Sequence, residues 1–353
     1  MKKSLKIIIS SISAVIVFIV IMCIYFNGQC KARDSKENAV AQKIQVPEGT
    51  SIKALANELE EMKLIKSKSA FYYGARFPVF NKFFVHSKKS LRLKSGYYKI
   101  SSDMSLAEIF DYLTSGKQEY IKVSFPEGLT KGKIALRLEE NGVCSAENFK
   151  NAVVNPEIIA EYSIPSESLE GYLFPDTYFL TPMMDGESVV RIMVDNFFEH
   201  AKEIPTLKDM SIGDLDYTVR LASIVEREYR VDEEAPLIAS VFKNRLRRNI
   251  GLYSCATIEY VITEIEGRPH PDKITYKDLQ IDSPYNTYLW AGLPPTAISN
   301  PGTIALNAAA NTPRTKYYYF RVVNEEEGRH FFSEDFSQHI SEGYSISTKK
   351  SEK

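Results

Sequence analysis

The sequence predicts a mixed α+β protein: an N-terminal transmembrane helix, a small α/β module and a larger α+β domain. Three observations carry this. Ile7 to Phe26 is an uncharged run long enough to cross a bilayer as a helix. Two short apolar strands, Ile44-Gln45-Val46 and Tyr120 to Phe125, each lead through Pro-Glu-Gly into a helical pattern. Beyond Lys131 several helical patterns follow one another before an alternating hairpin, Tyr317 to Val323 with Arg329 to Phe332.

The apolar run is preceded by Lys2, Lys3 and Lys6, which favours a cytoplasmic N-terminus, although Lys31 and Arg33 on its far side reduce the asymmetry. It exceeds the apolar region of a usual signal peptide and no small-x-small cleavage site follows closely. The segment boundaries expected are therefore 1–28 for the cytoplasmic tip and anchor, 29–42 for a polar linker, 43–119 for the small module, 120–346 for the large domain and 347–353 for a frayed, lysine-rich tail.

In the small module, Ile52, Leu55, Ala56 and Leu59 space out a first helix, a second lies around Ala70 to Ala75, and Leu106, Ile109, Phe110 and Leu113 mark a third. In the large domain, helices are expected over Lys131 to Glu140, Ala146 to Val153 and Val189 to His200. Ser211 and Asp214 stand three apart ahead of Leu215, Val219, Leu221, Ala222, Ile224 and Val225, which is a capped helix start. Asp232 is expected to cap the next helix, with Pro236 in its first turn and Asn244 and Arg245 as possible contacts. Pro301-Gly302 introduces an alanine-rich helix.

Composition narrows the chemistry. With 353 residues, 44% of them hydrophobic, and a net charge of -1, the chain has no electrostatic footprint for nucleic acid. The four cysteines show no metal-like pairing, and His-Glu-x-x-His, glycine-rich phosphate-loop and Gly-x-Ser-x-Gly patterns are all missing from the sequence. Neither a metal nor a cofactor is expected.

The Ser211 helix ends on two acids. Glu228 falls seven residues after Leu221, four after Ile224 and three after Val225, so continued helical spacing puts it on the apolar face. Glu226 would neighbour Ala222, Ser223 and Arg230, a more polar strip. A carboxyl forced against apolar side chains loses solvation, its pKa rises, and it becomes a proton donor near neutral pH. Ser168 to Tyr178 is rich in aromatic residues and acids, which suits a sugar-binding cleft and equally a loop packed under a core. The irregular stretch from Ser283 to Pro295 is long enough to line a site.

Leu169-Glu-Gly-Tyr-Leu-Phe-Pro-Asp-Thr-Tyr178, Ala222-Ser-Ile-Val-Glu-Arg-Glu228, Val241-Phe-Lys-Asn-Arg-Leu246, Tyr285-Asn-Thr-Tyr288 and Gly292-Leu-Pro-Pro-Thr-Ala-Ile-Ser-Asn-Pro-Gly302 together resemble the endolytic murein transglycosylase family. The resemblance implies an extracytoplasmic, single-pass membrane enzyme that cuts nascent peptidoglycan glycan strands and leaves 1,6-anhydro-N-acetylmuramic acid ends, with cell-wall synthases such as penicillin-binding proteins as possible partners. It makes Glu228 the catalytic acid and puts Glu170, Asp176, Tyr285 and Asn286 along the cleft, with Asn244 and Thr257 completing the expected substrate contacts. One departure stands before Thr257, where Tyr253 replaces the glutamine common in relatives. The small module is similar to a LysM-like unit in the order of its parts. Two rival readings remain: a two-carboxylate muramidase, with Glu170, Asp176 or Glu226 as second acid, and a non-enzymatic peptidoglycan-binding scaffold.

Overall fold

A computed structural model describes residues 2–47, 49–88, 90–116, 120–324 and 326–341. Glu48 of the first Pro-Glu-Gly turn and the tail at 347–353 lie outside the described residues. Strands and helices are mixed as the sequence predicts, and the chain divides into two compact units, residues 1–120 and 121–353, each with its own apolar core.

The first unit opens with α1 (Lys2–Cys30), whose segment Ser13–Cys30 is long and apolar enough to cross a membrane. The helix runs past the boundary at 28 because its end is packed: Cys30 is buried in the core of this unit and the Phe26 ring meets Phe80 edge-on at 5.2 Å. The stretch expected as a linker is likewise pinned, since the Arg33 and Asp34 N–H groups donate to the Ser102 carbonyl and Val40 N–H to the Ser102 hydroxyl. β1 (Ala41–Val46) pairs antiparallel with β2 (Gly96–Ser101), Ile44 facing Tyr98. That pairing lengthens the strand beyond the three residues its apolar pattern marks. Between them lie α2 (Ile52–Glu61), α3 (Lys68–Arg76) and the single turn α4 (Pro78–Phe80). Ser51 and Ser67 cap the first two by accepting the Ala54 and Ala70 N–H groups. After β2, α5 (Leu106–Ser115) starts on a full capping box between Ser105 and Glu108. Leu55, Leu59, Phe71, Ile109 and Phe110 fill the space between these elements.

In the second unit β3 (Ile121–Ser124) pairs antiparallel with β4 (Thr177–Leu180). The chain between them forms α6 (Lys131–Glu140), α7 (Ala146–Val153) and α8 (Pro156–Glu161). α9 (Gly186–Glu203), α10 (Pro205–Lys208), α11 (Ile212–Val225), α12 (Ala235–Arg247), α13 (Cys255–Tyr260) and α14 (Thr303–Ala310) follow. The hairpin of β5 (Tyr319–Asn324) and β6 (Arg329–Ser333) comes last among the named elements.

α11 is the centre of this unit. Its C-terminal half is buried all round, Ser223 included, and it packs against α14 and α12. Ser223 tolerates burial because its hydroxyl donates to the Arg220 carbonyl and accepts the Ile298 N–H. Two boundaries differ from expectation. Asp232 is not a helix cap: Asp232–Glu234 forms a 3-10 turn and Glu234 precedes α12 instead. Glu234 is buried there because it accepts both the backbone N–H of His330, at 3.0 Å, and contacts its ring Nδ1 at 2.7 Å. The second difference, the end of α11, shapes the site.

Candidate active site

α11 stops at Val225, short of both acids. Arg227 and Glu228 donate their N–H groups to the Ile224 and Val225 carbonyls in i→i−3 fashion, so the last turn tightens and the chain leaves the helix. Glu228 therefore does not share the apolar face of Leu221 and Ile224 by helical spacing. Its desolvation comes from the elements that close over it. The half-buried carboxyl lines a cavity of about 420 Å³ whose walls include Arg245 and Phe242 of α12, Tyr253 to Cys255 at the start of α13, and Phe320 and His330 of the hairpin.

Ser254 is the nearest partner, its hydroxyl donating to Glu228 Oε1 at 2.5 Å. The serine occupies the N-cap position of α13 but makes no side-chain cap bond, which leaves its hydroxyl for the acid. Tyr253, just before it, takes a left-handed backbone (φ 51°) and stays exposed, its ring under the Arg245 guanidinium at 5.6 Å and against Tyr288. Arg245 is buried and held by two backbone carbonyls, those of Tyr318 at 2.7 Å and Leu252 at 2.6 Å.

Burial pushes the Glu228 carboxyl up to about 7; the Ser254 bond pulls the other way, nearby Glu259 raises it further, and Arg227 and Arg245 lower it. Arg227 is spent mainly on Glu259, at 2.7 Å. The result is an acid that holds its proton near neutral pH in a basic, partly apolar hollow. Glu226 is not a plain solvated acid either. Burial also raises it to about 7, while the Gly302 N–H at 2.9 Å and the Tyr229 hydroxyl donate to it. The polar strip expected around Glu226 is absent because its side chain turns to the start of α14.

The other expected site residues are dispersed. Glu170 is 1% exposed and bound by the Lys131 N–H, the Asn300 amide at 2.7 Å and the Tyr260 hydroxyl; burial raises it to about 7. Asp176 is exposed at the start of β4 and accepts from the Asn196 amide. Asn244 spends its amide on the Thr315 and Tyr317 carbonyls, and Asn286 donates to the Leu279 and Ile281 carbonyls. Both hold irregular chain in shape, as buried amides must when backbone carbonyls would otherwise lack partners. Thr257 is fully buried, donating to the Ser254 carbonyl and meeting Thr287 at 2.9 Å. Tyr285 bonds Thr296 and packs on Tyr260. None of these six lines the cavity at Glu228. Thr257 comes nearest in role, since it fixes the backbone of Ser254. Ser254, His330 and the orientation of Arg245 were not legible in sequence: the partner of Ser254 lies 26 residues away and that of His330 lies 96 away, and no local pattern links either pair.

A family model described as YceG-like matches residues 44–342. Among curated relatives, the endolytic murein transglycosylase of Bacillus subtilis (strain 168) is 29% identical over 326 residues, covering 86% of this chain and 84% of that protein. The endolytic murein transglycosylase of Streptococcus pneumoniae serotype 2 is 28% identical over 84% of this chain, and the match spans 56% of the pneumococcal protein's length. The crystal structure of a YceG-like protein from Listeria monocytogenes superposes with a TM-score of 0.52 at 30% identity, over 86% of this chain and 99% of that one.

Proposed function

The chain belongs to the YceG-like family, and on that premise we propose that it is an endolytic murein transglycosylase acting on nascent peptidoglycan strands. The observation that carries the reading is Glu228, a carboxyl raised to about 7 by burial on the wall of an open cavity. In its neutral form it donates a proton to the glycosidic oxygen leaving N-acetylmuramic acid. The carboxylate so formed takes the proton of the C6 hydroxyl of the same sugar, and the C6 oxygen closes on C1. The C1–O bond to the leaving sugar breaks, the C1–O6 bond forms, and Glu228 ends protonated. Arg245 and the Ser254 hydroxyl stabilise the carboxylate between the two transfers.

Hydrolysis by a two-carboxylate route needs a second acid at a set separation from the first. Among the described residues Glu228 is the only carboxylate lining the cavity, and Glu170, Asp176 and Glu226 are committed elsewhere. This favours the transglycosylase over the muramidase. Mass spectrometry of products from purified glycan strands tests it: anhydro ends are expected from the wild-type enzyme, and Glu228→Gln should lose about 10²–10⁴-fold in rate with its fold intact. Reducing ends would move the assignment to hydrolysis.

The remaining parts of the reading have their own support. The first unit is read as LysM-like on the order of its parts, with α2 and α3 the longest helices between β1 and β2, and a hollow of about 420 Å³ between α2 and α3, bearing Lys53, Asn57, Tyr72 and Tyr73, has the polar and aromatic groups a glycan would use. α1 is read as a single-pass anchor with residues 31–353 outside the cytoplasm. Cell-wall synthases are the partners such a strand-cutting enzyme would work beside. A non-enzymatic scaffold is the reading left if Glu228→Gln has no effect on strand length while loss of the small module does.

A further inference from the structure

α11 and α12 frame a further cavity, of about 540 Å³, that shares no residue with the one at Glu228. Helical spacing creates it. Tyr217 and Arg220 project together from α11, Lys243, Leu246 and Arg247 from α12, and the Gly292-Leu293 turn closes the side. Three cations thus converge on one hollow whose apolar lining is Leu246 and Leu293.

That convergence is unfavourable by itself. Lys243 and Arg247 stand four apart on α12, and like charges at this spacing repel. Burial and Arg247 both depress the Lys243 ammonium. The acid beside the hollow is Asp216, which is 3% exposed, paired with Arg220 Nε at 2.8 Å and bonded by the Tyr172 hydroxyl. Lys243 Nζ donates to the Ala309 carbonyl at 2.8 Å and Arg247 Nη1 to the Asn244 side-chain Oδ1 at 3.2 Å. Those are neutral acceptors, and an ammonium and a guanidinium have further donors beyond one bond each. Among the described residues that line it, the hollow therefore carries two cations, Lys243 and Arg247, beyond the Arg220–Asp216 pair.

We propose that this hollow is an oxyanion-binding site that takes a phosphate group. A phosphate monoester brings a charge of about −1.5 to −2 at neutral pH, which matches those two cations, and lysine as a point charge beside an arginine fork is a phosphate-binding pair. Arg220, fixed by Asp216 and by the Pro294 carbonyl, forms a preset wall, while the exposed Arg247 closes from solvent. Leu246, Leu293 and the Tyr217 ring suit carbon attached to the phosphate, so the chemistry fits either free phosphate or phosphate carried on a larger molecule.

The test is calorimetric titration of the full chain in detergent micelles with inorganic phosphate and, separately, with glycerol phosphate. Saturable binding that Arg247→Gln and Lys243→Gln each weaken about fivefold or more, and that fades as salt is raised, is expected. Tighter binding of the ester points to an esterified source and tighter binding of the free ion to phosphate itself. The absence of saturable binding, equal binding of acetate, or titrations unchanged in both variants would overturn the site. Melting curves accompany each variant; should Lys243→Gln fail to fold through loss of its bond to Ala309, the exposed Arg247→Gln decides the matter alone. The readout is ligand binding, so it stands or fails independently of turnover at Glu228.

Discussion

Glu228 and Ser254 make a pair whose opposing effects can be separated. Burial favours the protonated acid and the serine hydroxyl favours the carboxylate. Activity should decline as pH rises through about 7, because the donor form is lost, and a pH–rate profile checks this. Ser254→Ala removes the lowering influence, so the alkaline limb should move to higher pH even as the rate falls; a limb that moves down or stays fixed would remove Ser254 from the proton-handling pair. Stability carries the same signature. Glu228 binds its proton more tightly folded, near 7, than at the ordinary 4.5, so its contribution is fully present below 4.5 and is lost as pH rises through about 7. Glu228→Gln abolishes that loss. At pH 8 the variant should be more stable than wild type by something on the order of 1–2 kcal/mol, a rise of a few degrees in melting temperature, and the gap should close at pH 5.

At the scale of elements, α11 and the segment from Ala297 to Gly302 are locked to the 168–174 loop. Asn300 alone accepts the Gly171 and Leu173 N–H groups and donates to Glu170 and the Leu129 carbonyl. Gly171 sits at φ +94°, where a Cβ would come within 2.5 Å of Ala297 and 2.7 Å of Val219. Gly171→Ala should therefore destabilise the second unit by about 2–4 kcal/mol, readable in urea unfolding, without touching the Glu228 cavity directly. The same elements explain what sequence could and could not reveal. The start of α11 was legible because Ser211 and Asp214 bond each other locally. Its end was not: nothing in Glu226-Arg227-Glu228 forbids a further helical turn, and the stop comes with contacts to Gly302 and Ser254, which lie far along the chain. Helical spacing points to Glu228, but α11 ends before it, and the chain lodges its carboxyl in a cavity by another route. Asn244, on α12, and Asn286 and Asp176, in irregular chain, are polar side chains that can serve a ligand or the neighbouring chain, and no local pattern tells which. Here the two amides serve backbone carbonyls and the acid serves Asn196.

At the scale of the whole molecule, two separate cores predict that residues 121–353 fold without the rest. That fragment, expressed alone, should melt in one cooperative transition by circular dichroism; a molten profile would mean that its core needs residues 1–120. The first unit has a different character, because α1 reaches Cys30 unbroken and its last turns are wedged against Phe80 and the module's interior. A domain on a floppy tether samples a hemisphere of positions, and one fused to a stiff mast does not. With that mast upright in lipid, the module would ride at a constant altitude and heading above the bilayer. If the module holds glycan and α1 spans the bilayer, as proposed, a strand would be met at a fixed distance from the membrane surface, and the stiffness of α1 would act as a gauge of length.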